Sequence, residues 1–380
     1  MERKIDKKPL MFSLTKESHN MPPGIFPLKN IIIELFLKCN LKCSFCYANS
    51  TSTKKRENEL TTDEIIDVIH QAKNMGVEDI DLTGGEPLLH KDILKIVKEI
   101  HNQGLLLTIQ TNGTLIKKNM DLVNYLTEIK DDLRVFISIN GACAETHDEL
   151  YGVKGAFDRT LEGVEILTSR GIKVCLVTTY QKNNFDEIPD IINLSKKLNA
   201  EWSGGPLINS GRGSIDEFDP LVRDFIQEYK DSYQKAYSIP RYENREWQLS
   251  YLGCNAGLTG CIVLSNGDVI PCFMDRENIA GNIRKQALKK IWTDGYFAPR
   301  EVDVAKTKCS SCKYLPYCCG GCTYFRKTYT GSFDNAAPSI CAWFSNIAMM
   351  TKDKNYEKVK NKDYKKIRIN KPPKTFKDLE

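Results

Sequence analysis

The chain has 380 residues, 27% charged and 41% hydrophobic, with a net charge of +5, which suits a globular protein of two or three domains or a barrel with an appendage. So mild a charge gives no reason to expect nucleic acid as a partner. The strongest early apolar run, 31–37, is short and interrupted by Glu34, so no membrane span is expected. The N-terminal MERKIDKKPLMFSL lacks the apolar stretch of a signal peptide, and the expected location is cytoplasmic.

Residues 1–29 read as an extension ahead of the first strand. From residue 30 the chain alternates strand-like runs at 30–37, 78–83, 105–110, 133–139, 172–178 and near 201–208 with helical patterns at 62–75, 91–103, 117–129, 156–170 and 185–198. Thr61-Thr62-Asp63-Glu64 opens the first helix with capping residues, and Gly76 and Gly104 stand where helices end. Six such repeats predict an α/β fold with a parallel sheet and crossover helices. Eight would make a full barrel, so the pattern leaves a partial six-stranded barrel and an open doubly wound sheet as alternatives. A polar helix is expected at 217–237 within a linker, 216–249, that runs through Pro240. Beyond it lies a cysteine-rich region, 250–348, with a hairpin signal at Asn266-Gly267 between β-branched runs. A basic tail, 349–380, reads as a solvated end.

Fourteen cysteines are many for a cytosolic protein of this size, and in that compartment clustered cysteines read as metal ligands. Cys39-Asn-Leu-Lys-Cys43-Ser-Phe-Cys46-Tyr47 puts three thiols in one loop after the first strand, with no fourth nearby. Structural zinc takes four protein ligands, and a [4Fe–4S] cluster has four corners. Three ligands leave a corner open for chemistry, the alternative being a degenerate zinc knuckle.

This spacing, with Tyr47 following, resembles the radical S-adenosylmethionine (SAM) superfamily. The resemblance implies a partial (β/α)6 TIM-like barrel over 30–215. It further implies a cluster held by Cys39, Cys43 and Cys46 whose fourth iron chelates SAM, and reductive cleavage of SAM to a 5′-deoxyadenosyl radical that abstracts a substrate hydrogen. Gly84-Gly85-Glu86-Pro87, on its own only a turn, is similar to the family's GGEP at the end of the second strand, which contacts the SAM amino group. Thr111-Asn112-Gly113 resembles the T-N-G turn after the third. Ser138-Ile139-Asn140-Gly141 stands where relatives read S-x-D-G, so Ser138 is expected to face SAM while Asn140 replaces an aspartate. His147-Asp148-Glu149-Leu150-Tyr151-Gly152 resembles H-D-x-x-R-G with Tyr151 in place of the arginine. That exchange removes a candidate clamp for the SAM carboxylate, for which Arg159 or Arg212 are the substitutes to examine.

The later cysteines, Cys254-x12-Gly267-x4-Cys272, then Cys309-x2-Cys312-x5-Cys318-x3-Cys322, then Cys341, resemble the SPASM domain, which carries two auxiliary [4Fe–4S] clusters. Gly281-Asn282-Ile283 matches its following G-N-[IL]. Carried over by position, Cys309, Cys312, Cys318 and Cys341 hold an outer cluster and Cys254, Cys272 and Cys322 an inner one. Cys261 is the candidate fourth inner ligand; without it the inner cluster keeps an open iron. Cys319 reads as a spare, and Cys143 and Cys175 as inert thiols.

Three clusters and SAM are thus the expected cofactors, with a flavodoxin or ferredoxin as the reducing partner. SPASM enzymes most often modify peptides or proteins, so a ribosomally made peptide is the first expected substrate. A tetrapyrrole or quinone precursor is the alternative. A non-enzymatic iron–sulfur carrier or zinc scaffold is disfavoured by the open loop together with GGEP. Sulfatase maturases place an aspartate where this chain has Phe273, which argues against that activity. The 29 residues before the first strand are too few for a winged-helix module that would grip a leader peptide, so a peptide substrate calls for a separate leader-binding protein or another surface.

Overall fold

The computed structural model describes residues 27–54, 58–208, 210–213, 256–302, 307, 309 and 321–335. Six parallel strands, β1 (Asn30–Glu34), β2 (Asp79–Thr83), β3 (Leu106–Thr111), β4 (Leu133–Ser138), β5 (Val174–Tyr180) and β6 (Glu201–Pro206), lie side by side in chain order. A doubly wound sheet reverses its order at a switch point, and none occurs here. Sequential order with helical crossovers is that of a partial barrel, as expected. The helices are α1 (Thr62–Asn74), α2 (Ile93–Asn102), α3 (Met120–Glu128), α4 (Ala144–Tyr151), α5 (Ala156–Ser169) and α6 (Ile188–Lys197).

Local chemistry explains these elements. Thr61 and Glu64 form a reciprocal capping box at the start of α1, and Ile65, Val68, Ile69 and Ala72 form its buried stripe. Gly76, with φ +79, turns the chain out of that helix. Along the strands, Ile31, Ile33, Ile80, Leu82, Ile109 and Ile137 are at most 1% exposed, as expected of the helix-covered face. Strand alternation turns Asp81, Thr108, Gln110 and Ser138 to the other face. That face mixes these polar side chains with Ile32, Phe136 and Val177, and the core lies between sheet and helices.

Two features depart from the sequence reading. Helix α4 carries no long apolar repeat and was not anticipated. The hairpin β7 (Gly260–Val263) and β8 (Asp268–Ile270), with β9 (Gly281–Asn282) beyond it, also does not stand apart. β7 pairs parallel with β1, Asn30 opposite Gly260 through Ile33 opposite Val263, extending the sheet to nine strands. The chain packs as two compact units, one of Leu28–Ile239 with Thr259–Ala298, the other of Met1–Pro27, Pro240–Leu258 and Pro299–Glu380. Of residues 250–348, the first hairpin, with α7 (Leu288–Asp294) after it, packs in the barrel unit. The smaller unit includes α8 (Thr323–Thr330). The expected helix at 217–237, the terminal extension and the basic tail lie outside the described residues. No helix among the described residues is long and apolar enough to cross a membrane.

Candidate cofactor site

The cysteine loop leaves β1 at its C-terminal end and is gripped from three directions. The turn after β2 zips onto its entry, with Gly85 N donating to Phe36 O at 2.7 Å and Glu86 N to Lys38 O at 2.9 Å. A Cβ on Gly85 would stand 2.1 Å from Lys38 O, and one on Gly84, at φ +154, 2.6 Å from Phe36 O. Only glycines allow this approach. From below, the last carbonyls of α4 receive the loop: Lys42 N donates to Tyr151 O at 3.0 Å and Ser44 N to Leu150 O at 2.9 Å. From the turn after β6, Arg212 donates through Nε to Cys43 O (2.7 Å), Nη1 to Asn49 Oδ1 (2.9 Å) and Nη2 to Ser50 O (2.9 Å). Its backbone N–H adds a bond to Cys46 O at 2.9 Å.

Inside this grip the three thiols sense one another. Burial, then the charge of Glu86, pushes the Cys39 thiol up to about 12. Cys43 is raised by burial and then by the charges of Cys39 and Cys46. Cys39 Sγ accepts from Leu41 N at 3.4 Å and Cys46 Sγ from Ser50 N at 3.3 Å. Three mutually repelling thiolates in a buried loop call for a positively charged metal centre. The donor set fits three corners of an iron–sulfur cluster, which Cys39, Cys43 and Cys46 would hold. Among the described residues, no three His, Cys, Asp or Glu side chains converge as around a single ion.

Glu86 is 1% exposed and its carboxylate accepts from Leu88 N (3.0 Å), Thr111 Oγ1 (2.6 Å) and Asn112 N (2.8 Å). Burial still lifts its carboxyl up to about 7. The side chain expected to meet an ammonium group thus braces β2 to β3 as well. Asn112 in turn donates to Asn40 Oδ1 at 3.0 Å and approaches Cys39 Sγ at 3.9 Å, tying the T-N-G turn to the cysteine loop.

The two departures at 140 and 151 meet. Asn140 Nδ2 donates to Tyr151 Oη at 3.0 Å, and Asn140 Oδ1 accepts from Thr179 N at 2.7 Å. Ser138 shares a hydrogen bond with the same phenol, which burial pushes well above its ordinary pKa. The Tyr151 ring stacks on His147 at 3.9 Å and packs against Cys39 and Leu41. Of the two candidate substitute arginines, Arg159 donates through Nη1 to Lys154 O at 3.4 Å, and Arg212 holds the loop itself.

Tyr47 lies at the β1 rim, its ring 4.7 Å from Phe273. The Arg276 guanidinium sits 5.7 Å from the Tyr47 ring and 5.2 Å from that of Phe273. Arg276 pairs with the buried carboxylate of Glu34, and the Tyr47 hydroxyl bonds Thr83. Sequence reasoning missed Glu34 and Arg276. The signal for Glu34 was its lone charge in the apolar run of β1.

Of the later cysteines, Cys254, Cys312, Cys318, Cys319 and Cys341 lie outside the described residues. Cys272 follows β8, and its sulfur accepts from Met274 N at 3.5 Å. Cys261 is opposite Ile31 on β7 and 2% exposed. Alternation places it on the helix-covered face, whereas Ile262 packs with Phe273 and Tyr47 on the other. Cys309 and Cys322 both belong to the smaller unit. Cys175 is buried in β5, and Cys143 is exposed beside Thr146.

Fold and loop together define a barrel enzyme built around a thiolate-held cofactor at the C-terminal rim of its sheet. The family model described as the radical SAM superfamily matches residues 33–195, and that of the SPASM iron–sulfur cluster-binding domain matches 254–323. The AdoMet-dependent heme synthase of Methanosarcina barkeri is 33% identical over 333 residues, covering 80% of this chain and 94% of that protein. The sporulation killing factor maturation protein SkfB of Bacillus subtilis is 26% identical over 285 residues, covering 73% and 68%. Streptococcus suis SuiB, crystallised with S-adenosylmethionine, shares the fold with a TM-score of 0.65 at 24% identity, covering 84% of this chain and 78% of that one. The chain belongs to the radical SAM superfamily and carries a SPASM domain; its cofactors are [4Fe–4S] clusters and SAM.

Proposed function

We propose that this enzyme modifies a carboxylated small molecule of the tetrapyrrole class by hydrogen abstraction. The observation that carries this reading is the similarity to a heme synthase, 33% identical over 94% of that protein's length. When bound, the cluster supplies the electron that splits SAM into methionine and the 5′-deoxyadenosyl radical. Cys39, Cys43 and Cys46 would hold it, and Tyr47, Gly84, Gly85, Glu86, Thr111, Asn112 and Ser138 would shape the SAM pocket. The face opposite the helices from β2 to β6 spans five strands, roughly 19 Å at sheet spacing, a width that suits a flat macrocycle. Phe273 adds an aromatic side chain at the rim, a feature that suits a flat ring system. Cys272, Cys309 and Cys322 would contribute to the auxiliary clusters, natural acceptors for the substrate's electron. A flavodoxin or ferredoxin would deliver the priming electron in the cytoplasm.

A second reading, a ribosomally made peptide as substrate, is favoured by the similarity to SkfB. The two part in one anaerobic assay. The holoenzyme, SAM and dithionite are incubated with a propionate-bearing iron porphyrin or with peptides encoded beside the gene. A porphyrin mass change in step with 5′-deoxyadenosine supports the first reading. An unchanged porphyrin beside a modified peptide refutes it.

A further inference from the structure

In the smaller unit a buried cation reaches one of the cysteines that the SPASM pattern makes cluster ligands, from a position one helical turn beyond another. Arg326 is 2% exposed and lies one turn into α8, its backbone N–H donating to Cys322 O at 3.2 Å. Its Nη2 donates to Cys309 Sγ at 3.4 Å, while Nη1 is anchored on Phe333 O at 3.2 Å. The anchor fixes the plane of the fork, so the second arm is aimed at the sulfur. By motif position Cys309 belongs to the outer cluster and Cys322 to the inner one.

Reducing a cluster adds one negative charge, and in a buried site a nearby cation stabilises that charge more than it would in water. Hydrogen bonds to ligand sulfur act in the same sense, and both are established controls on cluster potential. We infer that Arg326 is a positioning residue that raises the reduction potentials of the auxiliary clusters through its bond to Cys309 and its charge one helical turn beyond Cys322. Its function is to make them better acceptors for the electron that the substrate radical releases. The inference requires Cys309 and Cys322 to be ligands, whichever substrate the barrel takes.

The test is a potentiometric EPR titration of reconstituted holoenzyme as wild type, Arg326→Gln and Arg326→Lys, with iron counted first. The SAM cluster is recognised by the change in its signal when SAM is added. In Arg326→Gln the auxiliary midpoints should move to more negative potential. Arg326→Lys, which keeps a charge but loses the fork, should shift them less in the same direction. The SAM-cluster midpoint and uncoupled 5′-deoxyadenosine formation should stay at wild-type values. Wild-type auxiliary midpoints in iron-replete Arg326→Gln, or a SAM cluster that moves equally, overturn the inference. If Arg326→Gln does not retain iron, wild-type midpoints in Arg326→Lys overturn it. A wild-type protein with about 4 irons instead of about 12 removes the ligand reading itself, and that failure is visible before any titration.

Discussion

Replacing Arg212 with alanine tests whether the cysteine loop depends on its grip from β6. The substitution removes the bonds from Nε to Cys43 O at 2.7 Å, Nη1 to Asn49 Oδ1 at 2.9 Å and Nη2 to Ser50 O at 2.9 Å, while the backbone bond to Cys46 O remains. Charged hydrogen bonds contribute about 1.5–3 kcal/mol each when well buried. Arg212 is only partly buried, so water can replace much of each bond, and about 0.5–1.5 kcal/mol apiece is the fitting range. Three bonds then give about 1.5–4.5 kcal/mol, roughly a 10- to 2000-fold loss in the population of the gripped loop. Iron at the SAM site after reconstitution, and then SAM affinity by equilibrium binding, should both fall. Arg212→Lys should recover less than half, because an ammonium cannot span three acceptors. Full iron with wild-type SAM affinity in Arg212→Ala would refute the argument. Full iron with weakened SAM binding would instead make Arg212 a contact to SAM.

Gly85→Ala drives a Cβ to within 2.1 Å of Lys38 O; the strain should cost at least about 1–3 kcal/mol, read as a lower urea midpoint of the apoprotein and poor iron retention. Burial raises the Glu86 carboxyl to about 7 from its ordinary value of 4.5, so its contribution to stability is full below pH 4.5 and lost as pH rises through 7. The loss is about 3 kcal/mol, and denaturation of apo Glu86→Gln at pH 5 and pH 8 should show a shallower decline than the wild type. At the buried pair, Asn140→Asp and Tyr151→Arg should each destabilise by about 3–5 kcal/mol as lone buried charges. The double variant should regain a substantial part, measured as a coupling energy in a double-mutant cycle.

What the sequence made legible was local. Six alternations of pattern marked β1 to β6 because strand and helix periods show within a dozen residues, and the cysteine loop was visible as spacing. Helix α4 was missed because His147, Asp148 and Tyr151 occupy it for the sake of the loop above, leaving only a short apolar stripe. The Asn266-Gly267 turn announced the hairpin, yet nothing local could say that β7 would pair with β1, a contact made across some 230 residues of chain. The Glu34–Arg276 ion pair, separated by 242 positions, was hidden for the same reason. Cys261 matched a ligand by position alone, and only the register with Ile31 revealed which face it occupies.

Two departures from the superfamily pattern, at 140 and 151, and one from the sulfatase maturases, at 273, acquire a common physical sense once their contacts are known. Each puts a neutral side chain where relatives carry a charge, and each keeps a contact around the cysteine loop. Asn140 and Tyr151 bond one another at 3.0 Å, with Tyr151 against Cys39 and Leu41, and Phe273 lies on the ring of Tyr47. Asn140 and Tyr151 are 1% exposed, where a charge without a partner costs several kcal/mol. An aspartate and an arginine at these two positions could exist only together, so exchanging both is easier than exchanging either. The neutral pair preserves the support beneath the loop but contributes no charge to it. Arg212, in partial contact with water, then supplies the cationic grip at a lower desolvation cost. The result is a neutral support and a cationic grip around one loop, while the wall beside Tyr47 is aromatic at Phe273.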